Sequence, residues 1–143
     1  MSDPAYGIVK HVAVGYEEAV VLARAALKAQ GFGVLTEIDV KKTMKEKLDV
    51  DFKPYIILGA CNPQLAHKAL TAEPDIGLML PCNIVVYEEG PGAACVEAIS
   101  PMAALSVVDS AILGEVAAEA QKRLTAAMDA VADQAGNSEL VSE

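Results

Sequence analysis

YIILGACNPQLAHKAL, residues 55–70, decides how this chain folds. Tyr55 to Cys61 is a continuous apolar run behind Pro54, the pattern of a central strand covered on both faces. Asn62 then offers a side-chain oxygen to cap a helix, and Pro63 suits the first helical position, where no backbone N–H is needed. Leu65, Ala66, Ala69 and Leu70 supply that helix with an apolar face. A buried strand therefore passes directly into an amphipathic helix, which calls for a core mixing both element types.

Working toward the N-terminus, KKTMKEKL (41–48) is polar with Met44 and Leu48 one turn apart, and reads as a short surface helix. FGVLTEIDV (32–40) alternates Val34, Thr36 and Ile38 against Leu35, Glu37 and Asp39. This is a strand, and short loops are expected to pair it with the first strand. Tyr16 to Gln30 carries Val20, Ala23 and Leu27 at helical spacing, with Glu17 and Glu18 near its positive end and Gly31 beyond its last turn. Tyr6 to Val14 is a strand with Ile8, Val12 and Val14 on one side and His11 on the other.

Toward the C-terminus, Pro81-Cys82 opens a strand over 83–88, Gly90-Pro91-Gly92 turns the chain, and Ala93 to Ile99 returns antiparallel. Ser100 to Ser106 reads as irregular. Asp109 or Ser110 caps a last helix whose stripe, Ile112, Val116, Ala120, Leu124, Met128 and Val131, ends near Ala132 and leaves 133–143 as a flexible tail. Helices at both ends and no glycine-rich phosphate loop after any strand predict an α+β fold of two layers, a mainly antiparallel sheet backed by helices. With 143 residues and no linker or repeat, one domain is expected over 1–143, its core spanning about 6–132.

Composition narrows the function. The chain is 53% hydrophobic but only 4% aromatic, with a mean hydropathy of +0.33, so small aliphatic layers fill the core and apolar surface is left for a partner. No apolar run approaches the ~20 residues of a membrane-spanning helix, and Met1 to Tyr6 lacks a basic stretch followed by an apolar one. A soluble cytoplasmic protein is expected, with no membrane partner. Residues 1–72 hold 9 Lys/Arg against 8 Asp/Glu, whereas 73–143 hold 2 against 12. A half this acidic repels phosphates, so nucleic acid is not expected as a partner.

Three cysteines, Cys61, Cys82 and Cys95, in a reducing compartment argue against a disulfide framework. Their spacings fit no zinc pattern, and only His11 and His67 could add to them, so no metal site is expected. Cys61 stands at the start of a helix, where unsatisfied N–H groups favour a thiolate. His67 lies six residues further on, too far round the helix to serve as its base, whereas Cys82 meets Cys61 if the two strand ends are neighbours. Buried inert packing is the simpler reading of Cys61, and Cys95 reads as filler. The Cys-Asn pairs at 61–62 and 82–83, with Pro63 and Pro81, outline a candidate binding pocket.

His11 is expected on a solvent or helix face, and the lysines of 41–53 as a solvated surface, with an anion site or a contact with the acidic C-terminal half of another subunit as the alternative. Glu37 and Asp39 read as strand decoration, with paired carboxylates as the alternative. No Ser-His-Asp order, P-loop or HExxH is present.

The blocks GFGVLTEIDV (31–40), LGACNP (58–63) and LPCN (80–83), in this order, closely resemble the domain of unknown function 302 family over about Tyr6 to Ala132. The resemblance implies a TBP-like arrangement, β-α-β(4)-α with inserted short helices, in which a curved antiparallel sheet is backed by helices, together with a homodimer. It implies no activity and names no cofactor. Two functional expectations follow. The first is a non-catalytic module that binds a small molecule or a protein, itself foremost. The second is a thiol-dependent redox, sulfur-transfer or soft-metal-handling protein using Cys61 with Cys82.

Overall fold

The computed structural model describes residues 3–142, with side chains through residue 136. Strands β1 (Gly7–Val12), β2 (Gly33–Asp39), β3 (Tyr55–Cys61), β4 (Cys82–Gly90) and β5 (Ala93–Ile99) form one antiparallel sheet in the order β1-β5-β4-β3-β2. Between and after them run helices α1 (Tyr16–Ala29), α2 (Val40–Leu48), α3 (Pro63–Ala72), α4 (Pro101–Ala104) and α5 (Ala111–Ser142), with 3-10 turns at Pro74–Met79 and Leu105–Val107. The α+β class expected from the sequence is the class observed.

β1 and β2 occupy opposite edges of the sheet, which overturns the expected pairing between them. Helix α1 lies over β4 and β5 and carries the chain from one edge to the other. The β4–β5 hairpin, with its consecutive buried residues, takes the protected centre. The simple alternation in β2 also fails, because a bulge between Val34 and Thr36 shifts the register. Val34 points toward the helices, whereas Thr36 and Ile38 point away from them.

Two further expectations are corrected in the last third of the chain. Ser100 caps α4 through the Ala103 N–H, so the stretch after β5 is helical rather than irregular. Helix α5 does not end near Ala132 but runs to Ser142, because Ala135, 4% exposed, continues its buried stripe past Val131. That stripe also begins at Leu113 and not at Ile112, which is exposed. The flexible tail expected over 133–143 is thus helical through Ser142, and Glu143 lies outside the described residues.

The core sits on one side of the sheet. Ala19, Ala23 and Leu27 of α1 and Leu124, Met128 and Val131 of α5 interlock with Ile56, Leu58, Ile84, Val86, Ala94 and Val96. Burying each of the larger side chains contributes roughly 1.5–3 kcal/mol. The expectation that β3 is covered equally on both faces is corrected: Ile56, Leu58 and Ala60 join the core with α1 and α5, whereas Tyr55 and Ile57 on the other face are only half-buried and lie outside that core. Cross-strand register arranges that second face in rows. One row runs Tyr55–Tyr87–Cys95–His11, and the next runs Ile38–Ile57–Val85–Glu97–Val9.

Candidate functional site

The residues outlined in the sequence converge at one end of the sheet. β3 and β4 pair with Ala60 opposite Cys82, so the C-terminal end of β3 meets the start of β4. Cys61, Asn62, Pro81 and Cys82 line one cavity of about 50 Å³, together with apolar side chains of α3 and α5 such as Leu65 and Val116. Pro63 and Asn83 do not line it. Asn62, 6% exposed, caps α3 as expected, its Oδ1 accepting from the Leu65 N–H at 3.1 Å. The Leu80–Pro81 peptide bond is cis.

Gly59 explains how tightly this corner is built. A Cβ there would strike the Thr36 hydroxyl and lie 2.8 Å from the Pro81 ring, so only glycine lets β2, β3 and Pro81 close together. The cavity itself is small, about a third of the ~150 Å³ engineered hole that admits benzene. It accepts the apolar end of a molecule rather than a whole drug-sized ligand. Burial pushes the Cys82 thiol up from its ordinary pKa, and the nearby Cys61 adds to the shift. His67 is exposed on α3 and does not reach the cavity. The two thiols are brought together, but the base that would activate them is not.

The remaining charged candidates have structural partners. Glu37 pairs with Arg24 at 2.9 Å, and Asp39 caps α2 by accepting from the Lys42 N–H, so they do not form a carboxylate pair. Lys45 lies 3.0 Å from Asp49 and 3.5 Å from Asp51, and Lys41 donates to the Phe52 carbonyl at 2.9 Å. These exposed lysines are interleaved with Asp49 and Asp51, as on a solvated surface.

A second assembly was missed in the sequence. His11 projects onto the uncovered face, where Nδ1 meets the Glu89 carboxylate at 2.8 and 3.0 Å and Nε2 meets Asp3 Oδ1 at 2.9 Å. Those two carboxylates, Asp3 foremost, raise the His11 pKa above its ordinary value. Beside it Cys95 is fully buried, its Sγ donating to Glu97 Oε2 at 3.5 Å. Burial above all, with the Glu97 charge adding, pushes this thiol up to about 12. Tyr87, next in the row, is raised first by its hydrogen bond to Cys95 and stacks on Tyr55 with ring centroids 5.3 Å apart. Cys95 is buried, as expected of filler, and it also joins this row of polar side chains. Only the strand register could have revealed it, since nothing in the spacing of these residues along the chain joins them.

No helix of the described residues is long and apolar enough to cross a membrane. Comparison with functionally curated proteins finds no match. A crystal structure from Bacillus stearothermophilus, of an uncharacterized conserved protein DUF302, superposes with a TM-score of 0.81 at 33% identity, covering 90% of this chain and 99% of that one. The sequence profile of the domain of unknown function DUF302 matches residues 8–131. This chain, with its five-stranded sheet and one-sided helix layer, belongs to the DUF302 family.

Proposed function

We propose that this protein is a non-catalytic interaction module that works as a cytoplasmic homodimer, two copies packing through their uncovered sheet faces. The observation that carries this reading is the row Ile38–Ile57–Val85–Glu97–Val9. An antiparallel sheet with one face in water normally sets polar side chains there, yet this row holds four aliphatic residues around one carboxylate. Neither named row carries Lys or Arg, which favours a protein partner over a nucleic acid even though the β-α-β(4)-α order leads us to class the fold as TBP-like. Glu115, Glu119, Asp129 and Asp133 of α5 belong to the helix layer behind the sheet, so these charges are kept away from the contact.

A second apolar patch, with Leu78 90% and Val107 81% exposed, competes as the interface and sets the design of the test. Val85→Lys and Leu78→Asp are compared by size-exclusion chromatography with light scattering. The proposal expects Val85→Lys to be monomeric and Leu78→Asp dimeric. The reverse pattern moves the interface to the helical side, and two monomers or two dimers refute the sheet-face contact.

One observation favours the thiol reading, namely that Cys61 and Cys82 line the same cavity. Against it, burial pushes the Cys82 thiol up from its ordinary pKa and His67 does not line the cavity. We therefore take the cavity as a secondary site for the apolar end of a small ligand.

A further inference from the structure

We propose that His11, Glu89 and Cys95 form a binding site for a borderline-soft divalent cation of the zinc class. The three come from three adjacent strands. His11 and Cys95 are register partners across β1 and β5, and Glu89 is the extra residue of a bulge where β4 passes from Glu88 to Gly90. Bulges re-aim a side chain out of the regular alternation, and this one sends the Glu89 carboxylate across β5 to His11. One ligand atom from each residue lies within 4.8 Å of the others. Zinc bonds of ~2.0–2.3 Å to nitrogen, oxygen and sulfur need these atoms about 1 Å closer, which side-chain rotation supplies.

The choice of donors points to the cation. An imidazole, a thiol and a carboxylate together suit zinc better than the all-oxygen sets preferred by magnesium and calcium. Three protein ligands leave a fourth position for water, the arrangement of an open zinc site. Asp3 already holds the outer ring nitrogen, Nε2, at 2.9 Å, as a carboxylate does behind a metal-bound histidine, and this leaves Nδ1 to the cation.

Binding is an exchange with balanced charge. The cation takes the place of the proton between His11 Nδ1 and Glu89 and of the Cys95 thiol proton, and both protons leave to solvent. With Asp3 and Glu97 also close by, the cluster gathers more negative charge than His11 can offset, and a divalent ion compensates it.

The test is a cobalt(II) titration of the metal-free full chain under reducing conditions, followed by zinc competition. Cobalt reports a thiolate ligand through its charge-transfer band and four-coordination through its visible bands. One equivalent should saturate both, and zinc should abolish them. Cys61→Ser and Cys82→Ser should keep the charge-transfer band, and Cys95→Ser should lose it. His11→Gln, at a half-exposed position that does not threaten the fold, should weaken cobalt at least about tenfold, and Asp3→Asn about tenfold. Absence of the band in the unmodified chain would overturn the proposal. So would a band that survives Cys95→Ser or vanishes in Cys61→Ser, since the thiolate would then lie at the α3 cavity.

Discussion

His11 and Cys95 face each other across the β1–β5 ladder, and the same row continues through Tyr87 to Tyr55. One line of cross-strand neighbours thus holds every imidazole, thiol and phenol of the uncovered sheet rows. The apolar row beside it, on the same face, bears the proposed dimer contact, whereas the opposite face holds the core.

On the helix side, Leu58 is fully buried against α1 and α5. Leu58→Ala should lower the unfolding free energy by about 2–5 kcal/mol. Val85→Ala, on the other face, should leave the stability of the isolated protomer within about 1 kcal/mol of the unmodified chain. Urea titration at concentrations low enough to separate any dimer checks both, and equal losses would mean that the sheet is covered on both sides.

At the sheet corner, Gly59→Ala should cost about 1–3 kcal/mol, because the new Cβ meets the Thr36 hydroxyl and the rigid Pro81 ring. Thr36→Ala in the same chain relieves only the first of these contacts, so thermal melting should show partial and not full rescue. Complete rescue would place Pro81 further from the strand than the structure has it.

The start of α3 depends on one side chain. Asn62→Ala removes the acceptor for the Leu65 N–H and should cost about 1 kcal/mol, whereas Asn62→Asp keeps the cap. Circular dichroism melts of the pair separate the cap from mere polarity.

The buried thiols predict an alkaline limit. Cys82 and Cys95 both have folded pKa values raised above the ordinary 9.0. The folded state therefore holds on to protons that the unfolded chain gives up. Their contribution is complete below about pH 9 and declines as pH rises from there toward the raised folded values. Urea midpoints of metal-free protein should fall between pH 8.5 and about 10.5, and Cys82→Ala should flatten that fall. In the same range alkylation of native Cys82 should lag well behind that of a free thiol. Rapid modification near pH 8 would instead support the thiol-dependent reading.

The elements themselves were legible where local chemistry decides them. Pro63 and Asn62 marked the start of α3, and Gly90-Pro91-Gly92 marked the hairpin turn, with Gly92 at a positive φ of 70°. Pairing was less legible, because β1 and β2 are neighbours in sequence while α1 carries the chain across the sheet between them. The α3 corner could be outlined because Cys61 and Cys82 sit at strand ends that meet. The His11 cluster could not, since it depends on a three-strand register and on the displacement of Glu89 by a bulge. The apolar run of β3 also misled. It reads as a strand buried on both faces, and within one protomer only one face joins the core.

That last mismatch points to a dimer, since a second copy would cover what the first leaves open. Sedimentation equilibrium of the unmodified chain at micromolar concentration, at low and at high salt, tests it most directly. A homodimer held by an apolar contact should give a mass of twice 14.9 kDa that high salt does not reduce. A mass of 14.9 kDa under both conditions would contradict it.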